Sequence, residues 1–241
     1  MLFGLPLGCC SSLLEAGGEW PAQAHHDQMA SSRPRLRGFS HQYAFFASLA
    51  VGLPLVGTAP TPSARFAAAA FAASVAAMFG ASAVYHRVTW RPRPRAWMAR
   101  LDHATIYLLI AGTYTPYALL ALSGTWRIVV LAVVWSGAAA AIVLKFAWVN
   151  APKALAAALG VALGWAGVAA VPQLVDELGA APTALLLIGG VLYTSGAVVY
   201  ALRRPDPAPA VFGYHELFHA LVIAGVACHY VSVAFFVVPG G

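Results

Sequence analysis

Residues 127–148 read RIVVLAVVWSGAAAAIVLKFAW, with no ionisable side chain between Arg127 and Lys145. About 20 apolar residues are what an α-helix needs to cross a hydrocarbon core, at about 1.5 Å of rise per residue. Six other stretches have the same character: 41–58, 66–86, 103–122, 154–172, 183–202 and 215–238. The connections between them carry turn-forming residues: Thr58 to Pro62, the Arg/Pro run Arg91 to Arg95, Ser123-Gly124, Asn150 to Pro152, Asp176 to Pro182, and Arg204 to Pro209. The pattern predicts an all-α, polytopic membrane protein with seven transmembrane helices.

Composition agrees. Of 241 residues, 61% are hydrophobic and 9% charged, against roughly 25% charged in a soluble domain. This excludes a water-soluble globular fold. It also excludes a disordered chain, which needs low hydrophobicity and high charge. The seven-helix domain is expected over 33–241, preceded by a disordered extension over 1–32. Within that extension the adjacent His25, His26 and Asp27 read as incidental rather than as a metal cluster. The apolar start Met1 to Leu7 lacks the basic region of a secretory signal, and Met29 would itself make a natural start. Cys9, Cys10 and Cys228 form no metal-type spacing and imply no disulfide framework.

The formal charge of +6 calls for no nucleic-acid partner, because ten of the fourteen basic residues flank apolar runs. They are Arg33, Arg35 and Arg37; Arg87, Arg91, Arg93, Arg95 and Arg100; and Arg203 and Arg204. Placing the N-terminus inside puts twelve of the fourteen, with Lys145 and Lys153, on the cytoplasmic side and only Arg65 and Arg127 on the other. Cytoplasmic loops carry the Lys/Arg excess. A cytoplasmic N-terminus and an outer C-terminus are therefore expected, the reverse of the G-protein-coupled receptors.

Ionisable residues inside or at the ends of spans are costly and mark function. Setting aside Lys and Arg near span ends, which can snorkel to the interface, they are His41, His86, Asp102, His103, His215, Glu216, His219 and His229. The expected topology puts His41, His86, Asp102, His215 and His219 in one layer near the cytoplasmic surface. His215 and His219 of HELFH are four residues apart and share a helical face. With His86 they would supply three nitrogens to a zinc ion and leave a fourth tetrahedral position for water, as catalytic sites do. Such a donor set also accepts other metals.

Asp102 would orient that water or hydrogen-bond to it, or else serve as a helix N-cap. Ser82, one turn before His86, would be a supporting donor or oxyanion contact. HELFH also matches the HExxH pattern, in which Glu216 would be the general base of a metalloprotease. The alternative for Glu216 is an acid favoured by the helix dipole. His229, about 21 Å along the axis from His215, cannot join the ligand sphere and reads as a hydrogen-bonded intramembrane histidine. His103 points about 100° away from Asp102 and is left out of the site. Tyr107, Thr113, Tyr114, Thr115 and Pro116 suggest a polar, kinked face lining a cavity.

The blocks SAVYH (Ser82 to His86), LDHATIYLLIAGTYTP (Leu101 to Pro116) and HELFHALVIAGVACHY (His215 to Tyr230) resemble the signature blocks of the bacterial hemolysin III family. This family is grouped with the adiponectin and progestin receptors as seven-helix proteins with a cytoplasmic N-terminus. The resemblance covers about residues 33–238. It implies zinc held by His86, His215 and His219, with Asp102 beside a zinc-bound water and Ser82 in the same block. One departure is the first block, where relatives often carry Glu and Asn ahead of a His and RLRGFSH keeps only His41. Ceramidase-like lipid amidases in the wider group share a similar set of side chains. The leading expectation is thus zinc-dependent hydrolysis of a membrane-lipid amide or ester, with membrane lipids as substrate or ligand. The alternatives are a pore-forming cytolysin, against which the lack of an export signal and of a soluble form counts, and a non-catalytic sensor of membrane lipid state.

Overall fold

A computed structural model describes residues 34–148 and 152–241. Seven helical segments are long and apolar enough to span a membrane: α1 Phe39–Gly57, α2 Pro62–Arg87, α3 Pro92–Ala121, α4 Gly124–Ala147, α5 Ala154–Leu178, α6 Ala180–Leu202 and α7 Tyr214–Val237. The described residues contain no strand, only an isolated bridge between Ala208 and Phe212 in the α6–α7 connection. Helices are the expected solution, because in lipid each backbone N–H and C=O must find its partner within the segment. The expected extension, with His25, His26 and Asp27, lies outside the described residues, as does Arg33.

Three boundaries differ from expectation for local reasons. The Arg/Pro run is not a loop: α3 begins at Pro92 and continues through Arg95. Proline suits the first helical position, where its missing N–H would have no intrahelical partner. Asp102 therefore sits ten residues inside the helix, which removes the N-cap role. Asp176 is also helical, and the chain turns only at Gly179, whose φ of 85° suits a residue without a Cβ. The fifth span runs on to Leu178 but is broken into a helix Lys153–Gly164, a 3-10 turn Val168–Ala170 and a helix Val171–Leu178.

A break at membrane depth needs partners for the freed backbone groups, and Tyr114 of α3 supplies two. The Tyr114 hydroxyl donates to the Gly164 carbonyl at 2.5 Å and accepts the Gly167 N–H at 3.3 Å. Tyr107 donates to the Ala156 carbonyl at 3.1 Å, and the Trp165 indole donates to Thr194 Oγ1 at 2.9 Å. Tyr114→Phe is expected to destabilise the detergent-solubilised protein by about 1–3 kcal/mol, the cost of stranding buried polar groups. Thermal unfolding checks this, and an unchanged Tm would mean the break is satisfied otherwise.

Each helix packs on its neighbour in sequence, and α7 returns to pack on α1, which closes a ring. Small residues permit close approach: a Cβ on Gly112 of α3 would collide with Ser74 of α2. Phe71, Met78, Phe79, Ile110, Val134 and Val226 belong to the buried apolar cluster. Large apolar side chains such as Phe46, Leu53, Phe66, Ile128 and Val143 are exposed on the outside, as expected where the solvent is lipid.

Candidate metal centre

Five residues from four helices meet at one end of the bundle: His41 of α1, His86 in the last turn of α2, Asp102 of α3, and His215 and His219 in the first turns of α7. His86 Nε2 and His215 Nε2 are 3.1 Å apart. One nitrogen from each of His86, His215 and His219 lies within 4.8 Å of the others, the one such grouping among the described residues. His215 and His219 are buried, and the His86 side chain is 9% exposed. Ligands on a tetrahedral metal at 2.0–2.1 Å stand about 3.3–3.4 Å apart. The His86–His215 separation is close to that value, so these three imidazoles could hold a metal ion.

Asp102 Oδ2 lies 3.9 Å from His86 Nε2. Ser82 and Lys145 line the same cavity beside its carboxylate. The geometry thus brings together every residue named from sequence for the site. Lys145 is an addition. Its position near a span end made it one more cytoplasmic charge, whereas the fold buries it to 9% exposure against the cavity that Asp102 also lines.

His41, whose role the sequence left open, stacks flat on His219 with ring centroids 3.7 Å apart and planes within 7°. Phe79 closes its other side, edge-on at 5.0 Å. His41 therefore walls one ligand candidate and restricts its ring orientation. Its depth was legible, but the stacking depends on α1 closing the ring against α7.

Glu216 is turned away from this group. One carboxylate oxygen accepts the Gly213 N–H at 2.9 Å, capping α7, and the other pairs with Arg37 Nε at 2.6 Å. Both oxygens are engaged at the helix start, one as a cap and one in an ion pair, as the helix-terminus reading expects. Arg37, exposed to 22% in its side chain, ties the segment before α1 to the start of α7. Glu216→Gln is expected to cost about 1.5–3 kcal/mol of stability, the scale of a charge-assisted hydrogen bond, with metal content unchanged. Thermal unfolding beside elemental analysis tests it, and loss of metal from the folded variant would restore Glu216 to the site.

His229 is apart from the three-histidine group, as its distance along α7 predicts, with Nε2 3.0 Å from the Leu186 carbonyl. His103 approaches the Tyr200 hydroxyl at 3.3 Å. It was left out of the site but lines the same cavity. That cavity, of about 1570 Å³ with its mouth included, begins at Ser82, Asp102, His215 and His219 and reaches Tyr114, Trp165 and Val171. Asp102 to Tyr114 is twelve residues, or about 18 Å of helix axis. Met78, Ile110, Leu186 and Val222 give the middle an apolar lining. Of the α3 face expected to line a cavity, Tyr107, Thr113 and Tyr114 do so. Thr115 and Pro116 do not, the Thr115 hydroxyl being engaged by the Ala111 carbonyl and the Trp135 indole.

The family model described as "Haemolysin-III related" matches residues 29–230. The chain is 32% identical over 168 residues to the "Hemolysin-3 homolog" of Bacillus subtilis, covering 70% of this chain and 76% of that protein. It is 31% identical over 179 residues to "Hemolysin-3" of Bacillus cereus, covering 74% and 78%. A shorter match, 45% over 49 residues and 18% and 16% of the two chains, is to the "ADIPOR-like receptor IZH2" of Saccharomyces cerevisiae. With seven membrane-spanning helices and a family match over most of its length, the chain belongs to the hemolysin III family of multi-pass membrane proteins, in the wider adiponectin-receptor-like group.

Proposed function

We propose that His86, His215 and His219 bind zinc and that the protein hydrolyses an amide or ester bond of a membrane lipid. Carrying this reading is one observation: three imidazole nitrogens within 4.8 Å of one another, with a carboxylate beside them, at the polar end of a long apolar cavity. When bound there, zinc supplies Lewis acidity, polarising a carbonyl and making water more acidic.

The chain's own residues have separate tasks. The apolar walls take a single acyl chain, exclude bulk water and hold its carbonyl at the histidine end. Asp102 accepts a proton from the attacking water and passes it to the leaving group. Ser82 fixes the carboxylate's orientation, and Lys145 lines the same cavity beside it. His41 holds the His219 ring in place. The twelve-to-two distribution of Lys and Arg supports a cytoplasmic N-terminus in a bacterial cell membrane, with the site on the cytoplasmic side.

The test is release of free fatty acid from long-chain ceramides and glycerol esters by purified protein, followed by mass spectrometry, with a zinc-chelated sample alongside. Release that stops on chelation and resumes with zinc is the expected result. A metal-loaded protein that cleaves none of these lipids would contradict hydrolysis and favour a sensor in which zinc only joins α2 to α7.

A further inference from the structure

We propose that the cavity carries a second polar subsite, remote from the three histidines. In this subsite Thr113, Tyr193 and His229 receive a neutral hydroxyl on the far end of an elongated apolar ligand. The proposal rests on the reading above, that the cavity holds a lipid chain.

All three residues line the cavity, from α3, α6 and α7 respectively. Thr113 and His229 are 4% and 3% exposed. Thr113 Oγ1, the Tyr193 hydroxyl oxygen and His229 Nδ1 are buried and have no hydrogen-bond partner among the described residues. Buried polar atoms are rarely left so, and three on the wall of one cavity point to an occupant.

Their chemistry specifies it. The Leu186 carbonyl only accepts, so the 3.0 Å contact to His229 Nε2 places the imidazole proton on Nε2. Nδ1 is then a bare acceptor on a cavity wall that also carries two hydroxyls, each able to donate or accept. A group that both donates and accepts completes this set. A carboxylate or an ammonium would meet no counter-charge among the three.

Position agrees. His229 is ten residues beyond His219 and Thr113 eleven beyond Asp102, so the two helix counts give about 15–17 Å from the histidine centre. That is about half of a hydrocarbon core roughly 30 Å thick, the depth one acyl chain covers. The rings are also built in. Tyr193 and His229 meet edge to face with centroids 5.1 Å apart, and a Cβ on Gly189 or Gly225 would strike the imidazole or the phenol.

The experiment uses the full chain in detergent and measures displacement of labelled hexadecanoic acid by unlabelled hexadecanoic acid and by 16-hydroxyhexadecanoic acid. The terminal hydroxyl is expected to tighten binding about twofold to tenfold, the range of one buried hydrogen bond. Tyr193→Phe and Thr113→Val should each erase that gain and leave binding of hexadecanoic acid unchanged. Neither should lower Tm, since each removes an unpaired hydroxyl. Equal affinities in the parent, as when water alone fills the subsite, would overturn the proposal and leave the lipid cavity standing. A gain that survives in both variants would overturn the assignment to these residues, and failure of both acids to bind would overturn the lipid cavity with it.

Discussion

Asp102→Asn is expected to lower lipid hydrolysis by about 10²–10⁴-fold, the usual contribution of a positioned general acid–base. Metal content and Tm should stay near those of the parent. The substitution keeps the size and planar shape of the side chain, so the contact with Ser82 and the packing against His86, 3.9 Å away, are retained. What is lost is a basic oxygen that can take a proton and return it. Ser82→Ala, which removes an orienting contact and leaves the carboxylate, should be milder. Product formation under substrate saturation, with elemental analysis of the same sample, distinguishes the cases. Parental turnover in the Asn variant would remove Asp102 from the chemistry. Loss of turnover together with loss of metal would make its role structural.

Zinc added to chelated protein is expected to raise Tm, because an ion bound by the folded state alone stabilises it by mass action, by about 4 kcal/mol at a thousandfold excess over Kd. The architecture makes this response specific. Within the ring, α2 packs on α1 and α3, and α7 on α6 and α1, so His86 Nε2 facing His215 Nε2 at 3.1 Å joins two helices that are not sequence neighbours. An ion at that point would fasten the ring across its closure. His86→Ala should abolish the zinc-dependent rise. His229→Ala should keep it, since His229 bonds to Leu186 far from the centre. Equal responses in the two variants would mean that zinc binds elsewhere.

Much of this was legible before any coordinates, for identifiable reasons. The spans follow from the uniform demand of hydrocarbon for apolar length, and 127–148 and Gly124–Ala147 nearly coincide. The convergence of His86, Asp102, His215 and His219 followed from topology, because alternating helices return their ends to the same level. Contacts set by side-chain packing across the ring were not legible. The break in α5 depends on Tyr114, fifty residues from the carbonyl it satisfies. The stacking of His41 on His219 depends on where α1 meets α7. The long start of α3 was hidden by a proline-rich run that reads as a loop, although Pro92 is an acceptable first helical residue. Glu216 shows the hazard of a short motif: HELFH carries the letters of a metalloprotease, and Arg37 and Gly213 engage both carboxylate oxygens.

The most direct test is metal content, measured by elemental analysis of detergent-purified, folded protein for the parent and for His86→Ala, His215→Ala and His219→Ala. About one zinc per chain in the parent, lost in each of the three variants, is the result expected of a three-histidine site. A folded parent that holds no metal and takes none up would contradict the metal centre and the hydrolytic chemistry with it, and would leave the histidine cluster as the polar end of a ligand cavity.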